Sequence, residues 1–517
     1  MSADLFPRRV LIVYLAVCGV VLALTLGMTG GHFSCSLDDP YIHLALAQQL
    51  LHGHYGINAG EASAPSSSIL WPFLLAPFSR TAAAAWLPVA WNLVFGVLTC
   101  LLAGRIVERW WLSRAPAISG AMQWVLAFLL LMAGNVYALT FMGMEHLLQI
   151  ALMCGCAYGL LAAYDGERMP TWTLACAALA PLVRYEDLAF TLPVVLVCWW
   201  QGRRGAAVWT WLGGTLPLLG FSFYLRHLGL YWLPTSVLVK GNAVGAHESL
   251  LHSLLHQFGQ AVSAYLLNIG GISITLLAVL LTVLAVRERE ERAHGVTLAA
   301  TALGVWLMIV LGPYGWLHRY EAALRLFVVL MAIGVGIRMR RTAAVWVCVG
   351  LLLVGFANIK MLVSTPFACS NIYRQQYQMH RFVQGYYQGN VAVNDLGWVS
   401  FNHGDHRYVL DLFGLGSQEA ANQGPLKSAA WLDEVTRRHH VGLVMIYPSW
   451  FAERPASWID VAELHEQISV HGALGGSDVV FYATPDADVA ELRTELHAFA
   501  KTLPAKTWMT FPETEMR

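Results

Sequence analysis

Two adjacent carboxylates, Asp38 and Asp39, stand directly before Pro40 and just after the first long apolar run of the chain. Proline is favoured in the first turn of a helix, and an aspartate before it caps the free backbone N–H groups there. The pattern predicts a helix over 40–52 that Asp39 caps and Gly53 ends. Asp38 then has no structural role and lies near the positive end of the helix dipole, where an ionised carboxylate is stabilised and accepts a proton. We therefore expect Asp38 to act as a general base, with Asp39 as the alternative.

Other polar groups interrupt the ends of later apolar runs, where a membrane protein usually carries its function. Glu145 joins two runs with almost no loop between them. Arg184 and Glu186 lie between two short apolar segments, where they either pair with each other or leave Arg184 to bind a substrate. Lys240 ends an amphipathic stretch. These spacings indicate a few cations and carboxylates at one level of the membrane.

The last such cluster packs a cation among aromatic rings at the start of an apolar run and comprises Trp316, His318, Arg319 and Tyr320. Trp316 and Tyr320 either belong to the aromatic belt of the membrane interface or line a site. The aromatic belt does not account for the charged residue at the same place. Arg319 is therefore a candidate ligand for an anion.

The apolar runs that carry these residues define the fold class. With 57% hydrophobic and 12% charged residues, the chain is predicted to be an α-helical polytopic membrane protein. About eleven transmembrane helices are expected within residues 1–363, near 10–30, 86–104, 121–140, 146–164, 171–183, 187–200, 206–225, 260–285, 296–312, 322–337 and 343–363.

Residues 364–517 lack any further run long enough to span a membrane, and they are predicted to form a soluble α/β domain. Strands are expected at 391–393, 408–410, 442–446 and 479–482. Helical patterns alternate with them at 371–388, 428–440, 459–468 and 487–500. No complete Gly-rich phosphate loop is present, which argues against nucleotide binding by this domain.

Loop charges predict the orientation, because short cytoplasmic loops carry the excess of Lys and Arg. One set of loops holds fourteen arginines, at 8, 9, 105, 109, 114, 168, 203, 204, 287, 289, 292, 338, 340 and 341. The opposite set holds five basic residues, Arg80, Arg184, Arg226, Lys240 and Arg319. The N-terminus is thus expected in the cytoplasm of a bacterial inner membrane, with the first run as a retained anchor and residues 364–517 outside. Equal totals of 32 basic and 32 acidic residues give no reason to expect nucleic acid.

Two of the nine cysteines, Cys35 and Cys369, fall just past the outer ends of apolar runs. Both would then face the same oxidising compartment, where disulfides form. A bond between them is a candidate tie from the first outer loop to the soluble domain. The other seven cysteines lie within apolar runs and are expected to pack as small hydrophobic residues.

One outward carboxylate, a few scattered cations and a site bounded by lipid suit the transfer of a sugar from a lipid phosphate. Lys240, Arg184 or Arg319 can hold the donor phosphate, while the lipid tail stays in the bilayer. A carboxylate deprotonates an acceptor hydroxyl as it attacks the anomeric carbon, in one inverting displacement. This chemistry needs no ATP or nucleotide motif.

The same residues resemble those of the membrane-embedded GT-C glycosyltransferases that use polyprenyl-phosphate sugars, and the sequence is most similar to the mycobacterial terminal arabinofuranosyltransferase branch. The pieces that match run along nearly the whole chain. They are Leu37-Asp38-Asp39-Pro40-Tyr41-Ile42, Gly53-His54-Tyr55-Gly56-Ile57-Asn58 with Gly60-Glu61, Ser66-Ser67-Ser68-Ile69-Leu70-Trp71, Gly143-Met144-Glu145, Leu182-Val183-Arg184-Tyr185-Glu186, Leu233-Pro234-Thr235 with Lys240, Trp316 with Arg319-Tyr320, and Asn394-Asp395-Leu396-Gly397. The sequence departs from the pattern at Tyr185 and over 61–66.

The resemblance implies a GT-C fold whose first outer loop, 31–85, carries the catalytic aspartate and two interface helices near 40–52 and 67–78. Asp38 would be the base, with Asp39 as the alternative. Donor phosphate would contact Lys240, Arg184 and Arg319, and the sugar or acceptor pocket would be lined by His43, Glu145, Glu186, Trp316, His318 and Tyr320. The partners implied are a polyprenyl-phosphate sugar, a glycan, glycolipid or protein acceptor, and the bilayer.

Three other interpretations stay open. No cofactor is expected, although His43, His52 and His54 with the two aspartates are candidate ligands for a divalent metal without a tight ligand spacing. A transporter would also place charges in outer cavities, yet the chain has no internal repeat. A non-catalytic assembly or scaffold protein of the cell envelope would account for the outer domain.

Overall fold

The computed structural model describes residues 5–113, 118–240, 250–336, 343–404, 406–424, 426–469 and 474–512. Arg114, Arg338, Arg340 and Arg341, which entered the loop-charge prediction, lie outside these residues, and so does the side chain of Lys240. The helices are α1 Leu5–Met28, α2 Asp39–Leu50, α3 Leu70–Leu75, α4 Leu87–Val107, α5 Gly120–Ala133, α6 Val136–Met142, α7 His146–Tyr164, α8 Thr171–Val183, α9 Leu188–Trp200, α10 Arg204–His227, α11 Thr235–Lys240, α12 Leu250–Leu267, α13 Ile269–Arg287, α14 Arg292–Leu311, α15 Ala322–Gly336, α16 Ala343–Arg374, α17 Gln376–Gly385, α18 Gly397–Ser400, α19 Gln418–Asn422, α20 Ala429–Arg438 and α21 Val489–Ala500.

Seven helical segments of the described chain are long and apolar enough to cross a membrane. They are Leu5–Met28, Ala84–Leu112, His146–Tyr164, Arg204–His227, Gly270–Arg287, Arg292–Leu311 and Val345–Gly385. An eighth results if α5 and α6, which meet at an angle of 48°, form one bent span. The multi-pass membrane character is thus confirmed, whereas eleven crossings stay a prediction.

Helix α7 lies at the centre of the helical part, and all of its residues except Tyr158 are buried. It packs against α4, α8 and α15. Gly155 and Gly159 lie one turn apart on its α8 side: a Cβ on Gly155 would come within 2.5 Å of the Cys176 sulfur, and one on Gly159 within 2.5 Å of the Thr173 hydroxyl. Small residues at this spacing let two membrane helices approach closely.

A buried polar cluster ties α5, α15 and α16 together. Arg325 donates to Glu321 one turn earlier in the chain, at 3.0 Å, and to Asn358 of α16 at 3.3 Å. The amide of Asn358 in turn donates to the carbonyl of Met132 at 2.8 Å. Charged groups are stable inside an apolar bundle only when paired in this way.

The C-terminal part is built on one six-stranded sheet in the order β2-β1-β3-β5-β4-β6. Strands β2, β1 and β3 are parallel, and β5, β4 and β6 continue the sheet in antiparallel fashion. The strands run over β1 Asn390–Val393, β2 Val409–Asp411, β3 Val441–Ile446, β4 Ile459–Glu466, β5 Asp478–Ala483 and β6 Thr507–Thr510. The mixed α/β class and the four predicted strands are confirmed.

The prediction of a helix over 459–468 is wrong, because this segment forms the strand β4. Its alanine, leucine and glutamates favour a helix in isolation. In the structure, however, burial alternates along the segment: Glu463 and His465 are partly exposed, whereas Leu464 and Glu466 are buried. Such alternation fits a pleated strand, and pairing with β5 and β6 supplies the packing that overrides propensity.

Residues 31–85 form helices at both positions where interface helices were expected. The segment predicted at 40–52 is α2, and that at 67–78 is α3 followed by the single 3₁₀ turn Ala76–Phe78. Helix α16 runs without interruption from Ala343 to Arg374, so the predicted domain boundary at 363/364 falls inside a helix.

Cys35 and Cys369 are both free, buried thiols in the structure. A disulfide between them stays a prediction.

We expect Gly159→Ala to destabilise the helical bundle, because the added methyl overlaps Thr173 and forces α8 away from α7. Overpacking of this kind costs about 1–3 kcal/mol. The control is Gly220→Ala in α10, where an added Cβ meets no atom within 4 Å. Thermal unfolding in detergent should show a lower midpoint for Gly159→Ala alone; equal midpoints for both variants would contradict the tight α7–α8 contact.

Candidate active site

Asp38 binds across the two parts of the protein and does not stand free beside α2. It occupies the N-cap position of that helix without capping it, and α2 begins at Asp39. Its carboxylate accepts the backbone N–H of Gly397 at 2.6 Å and of Trp398 at 2.8 Å, the first residues of α18. The prediction that Asp39 caps α2 while Asp38 lacks a structural role is therefore wrong.

Gly397 is the residue that permits this contact. A Cβ built on it would overlap the carbonyl oxygen of Asp38 and lie 2.5 Å from the carbon of its carboxyl group. Backbone atoms cannot move aside as a flexible side chain can, so only glycine fits here. Beside it, the rings of Tyr41 and Trp398 stack with centroids 3.8 Å apart.

A second carboxyl group from the sheet domain reaches Asp38. Asp395, the second residue after β1, hydrogen-bonds the Asp38 side chain and also accepts from Gln376 at 2.8 Å and from the Tyr447 hydroxyl at 3.2 Å. Burial and the charge of Asp395 raise the pKa of Asp38 well above its usual value, although the two backbone N–H groups lower it. Burial likewise raises the pKa of Asp395. Two carboxyl groups this close share a proton.

Asp39, the next residue, has a different partner and pairs with a cation. Its Oδ2 accepts from both terminal nitrogens of Arg319, each at 3.1 Å. The Asp39 side chain is 20% exposed, whereas Arg319 is 2% exposed and Asp38 5%. Of the two aspartates, Asp39 is thus the more accessible.

Arg184 is the second buried cation of this region. It donates to Glu145 at 3.0 Å, to Glu186 at 2.9 Å and to the hydroxyl of Ser67 at 3.1 Å. Burial raises the pKa of Glu145, but the positive charges of His146, Arg184 and His43 more than offset it and hold that pKa well below its usual range. Glu145 is therefore an anionic partner for Arg184, and the predicted local pair of Arg184 with Glu186 also forms.

Tyr320 connects the two arginines. The guanidinium carbon of Arg184 lies 5.2 Å from the centroid of the Tyr320 ring and that of Arg319 lies 5.0 Å from it. The Tyr320 hydroxyl also accepts from Arg319 at 3.0 Å. Both cations are thus held close to one aromatic ring, in cation–π contacts that are stronger when they are shielded from water.

An unusual turn precedes Arg319. Trp316, Leu317 and His318 all have positive φ angles, of 42°, 62° and 57°, a conformation that side chains other than glycine rarely adopt. The buried Glu321 holds the turn, because its carboxylate accepts the Gly315 N–H at 3.0 Å and contacts His318 at 3.0 Å. The turn therefore fixes the direction in which Arg319 points.

Arg184, Arg319 and Tyr320 border a cavity of about 760 Å³ that is polar at one end and apolar at the other. The polar end contains Arg184, Glu186, Arg319, Tyr320 and Ser67. The apolar wall includes Leu188 and Leu192 of α9, Trp211 of α10, and Leu307, Val310 and Leu311 of α14. Leu233, Ser236, Val237 and Leu238, in and before α11, close another side, so the backbone that carries Lys240 borders the cavity.

Most of the residues predicted for a site are thus brought together: Asp39, Arg184, Arg319, Glu145, Glu186, His43 and Tyr320. Of these, Arg184, Glu186, Arg319 and Tyr320 line the cavity, whereas Asp39, His43 and Glu145 do not. Trp316 is 62% exposed, and neither it nor His318 is among the lining residues. Sequence reasoning gave no role to Asp395 or Ser67. A signal for Asp395 was present, because it lies two residues after the end of a parallel strand, where α/β sheets usually place functional groups.

A group of three metal-ligand side chains occurs in the described chain away from the two aspartates, on β4 and β5. Glu463, His465 and Asp478 bring their ligand atoms within 4.8 Å of one another, and His465 Nδ1 lies 2.7 Å from Asp478. His and carboxylate ligands of this kind suit a divalent cation. His52 and His54, considered as ligands from the sequence, do not join the aspartates in such a group within the described residues.

Residues 370–482 match a family model described as "Domain of unknown function (DUF8728)". No curated protein matches the sequence. Among solved structures, the chain is similar to the oligosaccharyltransferase of Archaeoglobus fulgidus in complex with Zn and sulfate, with 12% identity, coverage of 90% of this chain and 73% of that chain, and a TM-score of 0.44. The apo form of that enzyme is 10% identical, with coverage of 92% of this chain and 75% of that chain and a TM-score of 0.41. The form tethered through a disulfide to an acceptor peptide with the NVT sequon is 10% identical, with coverage of 91% of this chain and 74% of that chain and a TM-score of 0.38. Similarity at this level does not establish a shared fold or activity.

The shared proton of Asp38 and Asp395 predicts a pH-dependent contact between the two parts of the protein. The pKa values of both groups are raised in the folded protein. The stability that the protonated pair contributes is therefore fully present below the usual carboxyl range near pH 4, and it is lost as the pH rises through the raised values. Asp395→Asn should remove that dependence, so its thermal midpoint should fall less than that of the parent protein between pH 5 and 9. Asp460→Asn, an exposed aspartate on β4, is the control. Parallel pH profiles for Asp395→Asn and the parent would contradict the shared proton.

Proposed function

We propose that the protein is a membrane glycosyltransferase that moves a sugar from a polyprenyl-phosphate donor to an acceptor on the outer face of the membrane. The observation that carries the proposal is the cavity with two arginines at one end and an apolar wall at the other. A polyprenyl phosphate has the same division into an anionic head and an apolar tail. The carboxylate of Asp39, which is not itself among the lining residues, pairs with Arg319 of the polar end.

The reaction assigns one role to each group. The carboxylate of Asp39 takes the proton of an acceptor hydroxyl, whose oxygen forms a bond to the anomeric carbon of the donor. The bond from that carbon to the phosphate oxygen breaks, and its electron pair stays on the phosphate. Arg319 and Arg184 stabilise the charge that develops there, in a buried site where such stabilisation is strong. A single displacement of this kind inverts the anomeric centre.

We prefer Asp39 to Asp38 as the base on grounds of geometry. Both oxygens of Asp38 already accept backbone N–H groups, and the side chain is nearly inaccessible. Asp39 is partly exposed and adjoins the cation that would hold the leaving group. Asp38 then acts indirectly, by fixing the start of α2.

Several finer statements belong to this proposal. The helical part, residues 1–363, would be a GT-C-like catalytic unit in a bacterial inner membrane, with its N-terminus in the cytoplasm and residues 364–517 outside. The motifs shared with the arabinofuranosyltransferase branch support a pentosyl or hexosyl donor and a cell-envelope glycan, lipid or protein acceptor. Lys240, at the end of α11, is a third candidate contact for the phosphate.

Asp39→Asn should abolish sugar transfer while leaving the protein folded, because the amide accepts no proton from the acceptor. Loss of a general base typically lowers the rate about 10²–10⁴-fold. Incorporation of radiolabelled sugar from a polyprenyl-phosphate donor measures the effect, and Asp460→Asn is the matched control. Asp38→Asn should lower the unfolding midpoint more than Asp39→Asn does.

The reverse result, an active Asp39→Asn protein beside a stable but inactive Asp38→Asn protein, would make Asp38 the base. If neither change altered a measured transfer activity, the carboxylate mechanism would fail. A purified parent protein that transfers no sugar from any polyprenyl-phosphate donor would favour the transporter or scaffold alternatives.

The apolar wall predicts a dependence on the donor tail. Leu307→Trp on α14 should fill part of the cavity and raise KM for a donor with a long polyprenyl chain, with little effect on one with two isoprene units. Leu303→Trp, one turn away on the same helix and 45% exposed, is the control. An equal change in KM for both tail lengths would place the tail outside this cavity.

A further inference from the structure

Arg319 carries hydrogen-bonding capacity that the structure leaves unused. The guanidinium is 2% exposed, and its Nε has no hydrogen-bond partner among the residues that the structure describes. A buried N–H without a partner costs free energy, so it is a place where a ligand oxygen is favourable. Arg319 lines the cavity, so a ligand there that displaces the present partner of the guanidinium can also meet this N–H group.

The contact between Arg319 and Asp39 also falls short of the strongest geometry. Both terminal nitrogens converge on the single oxygen Oδ2 at 3.1 Å. The most favourable pairing uses two parallel N–H groups on two separate oxygens. A phosphate offers several oxygens and can take Nε together with a terminal nitrogen, so it would bind Arg319 better than Asp39 does.

Arg184 is less available than Arg319. Two carboxylates, those of Glu145 and Glu186, hold its Nη1 and Nε at 3.0 and 2.9 Å. Arg319 has an ion pair with one carboxylate, that of Asp39, in the described chain. An incoming phosphate therefore meets weaker competition at Arg319.

We propose that the donor phosphate displaces Asp39 from Arg319 and that this exchange releases the Asp39 carboxylate to act as the base. The inference rests on the proposed function and adds regulation to the same site. In the resting protein the cation neutralises Asp39. Once phosphate occupies Arg319, Asp39 no longer pairs with that cation and takes the acceptor proton. The acceptor oxygen bonds to the anomeric carbon, the bond from that carbon to the phosphate oxygen breaks, and the phosphate held by Arg319 keeps the electron pair.

The exchange predicts that removing the charge of Asp39 strengthens phosphate binding. We would measure binding of undecaprenyl phosphate, which carries no sugar, to the full chain in nanodiscs. Asp39→Asn should bind this probe about tenfold more tightly than the parent, as expected if about 1.4 kcal/mol of competition is removed. The gain should vanish in the double variant Asp39→Asn, Arg319→Gln.

Glu186→Gln separates exchange at Arg319 from a general change in charge. It removes one negative charge from the same cavity but leaves the Asp39 pair intact, so its effect on binding should persist in the Arg319→Gln background. A second readout is proton uptake, from calorimetry in two buffers of different ionisation heat. The parent should take up more protons on binding the probe than Asp39→Asn does.

Each outcome decides between the possibilities. If the parent binds the probe and Asp39→Asn binds it equally or more weakly, the exchange is overturned while the proposed function stands. If the tighter binding of Asp39→Asn survives in the Arg319→Gln background, Arg319 is not the exchanged partner and the inference also fails. If neither the parent nor any variant binds undecaprenyl phosphate, both the exchange and the proposed donor class are overturned.

Discussion

The carboxylate of Asp38 is the interaction on which the rest of the site depends. It belongs to the loop between α1 and α2, yet the N–H groups that satisfy it come from α18 in the sheet domain. Removing those partners would leave a buried polar group unsatisfied, which costs far more than an exposed hydrogen bond contributes. The contact fixes the first residue of α2, and therefore the place where Asp39 meets Arg319. The contact that joins the helical part to the sheet domain is thus also the contact that positions the proposed base.

The buried ion pairs serve position more than stability. Bringing Arg184, Arg319 and their carboxylates out of water costs roughly what their attraction returns. The left-handed turn before Arg319 adds a cost of about 1–3 kcal/mol for each strained residue. A chain optimised for stability alone would avoid both features. Their result is that two guanidinium groups lie close to the ring of Tyr320 at one end of a cavity.

The sequence was informative where a signal is local or where the membrane imposes a common level. Apolar runs indicated a multi-pass protein, and polar clusters at their outer ends predicted that Arg184, Glu145, Arg319 and Tyr320 would meet. The roles of the two aspartates were not predictable, because the partner of Asp38 is 359 residues away at Gly397. The strand β4 escaped recognition because its composition favours a helix, and only its neighbours β5 and β6 decide the matter. The number of crossings depends on short helices such as α8, whose length alone does not determine whether they span.

The length of α16 has a mechanical consequence. Its 32 residues extend about 48 Å, whereas the hydrocarbon core of a membrane is about 30 Å thick. The helix therefore projects beyond the bilayer as a stiff arm, and α17 follows after the single residue Gln375. A helical connection of this kind lacks the freedom of a coil linker. The sheet domain is therefore joined to the helical part by a stiff connection, which limits how far it can move relative to the cavity.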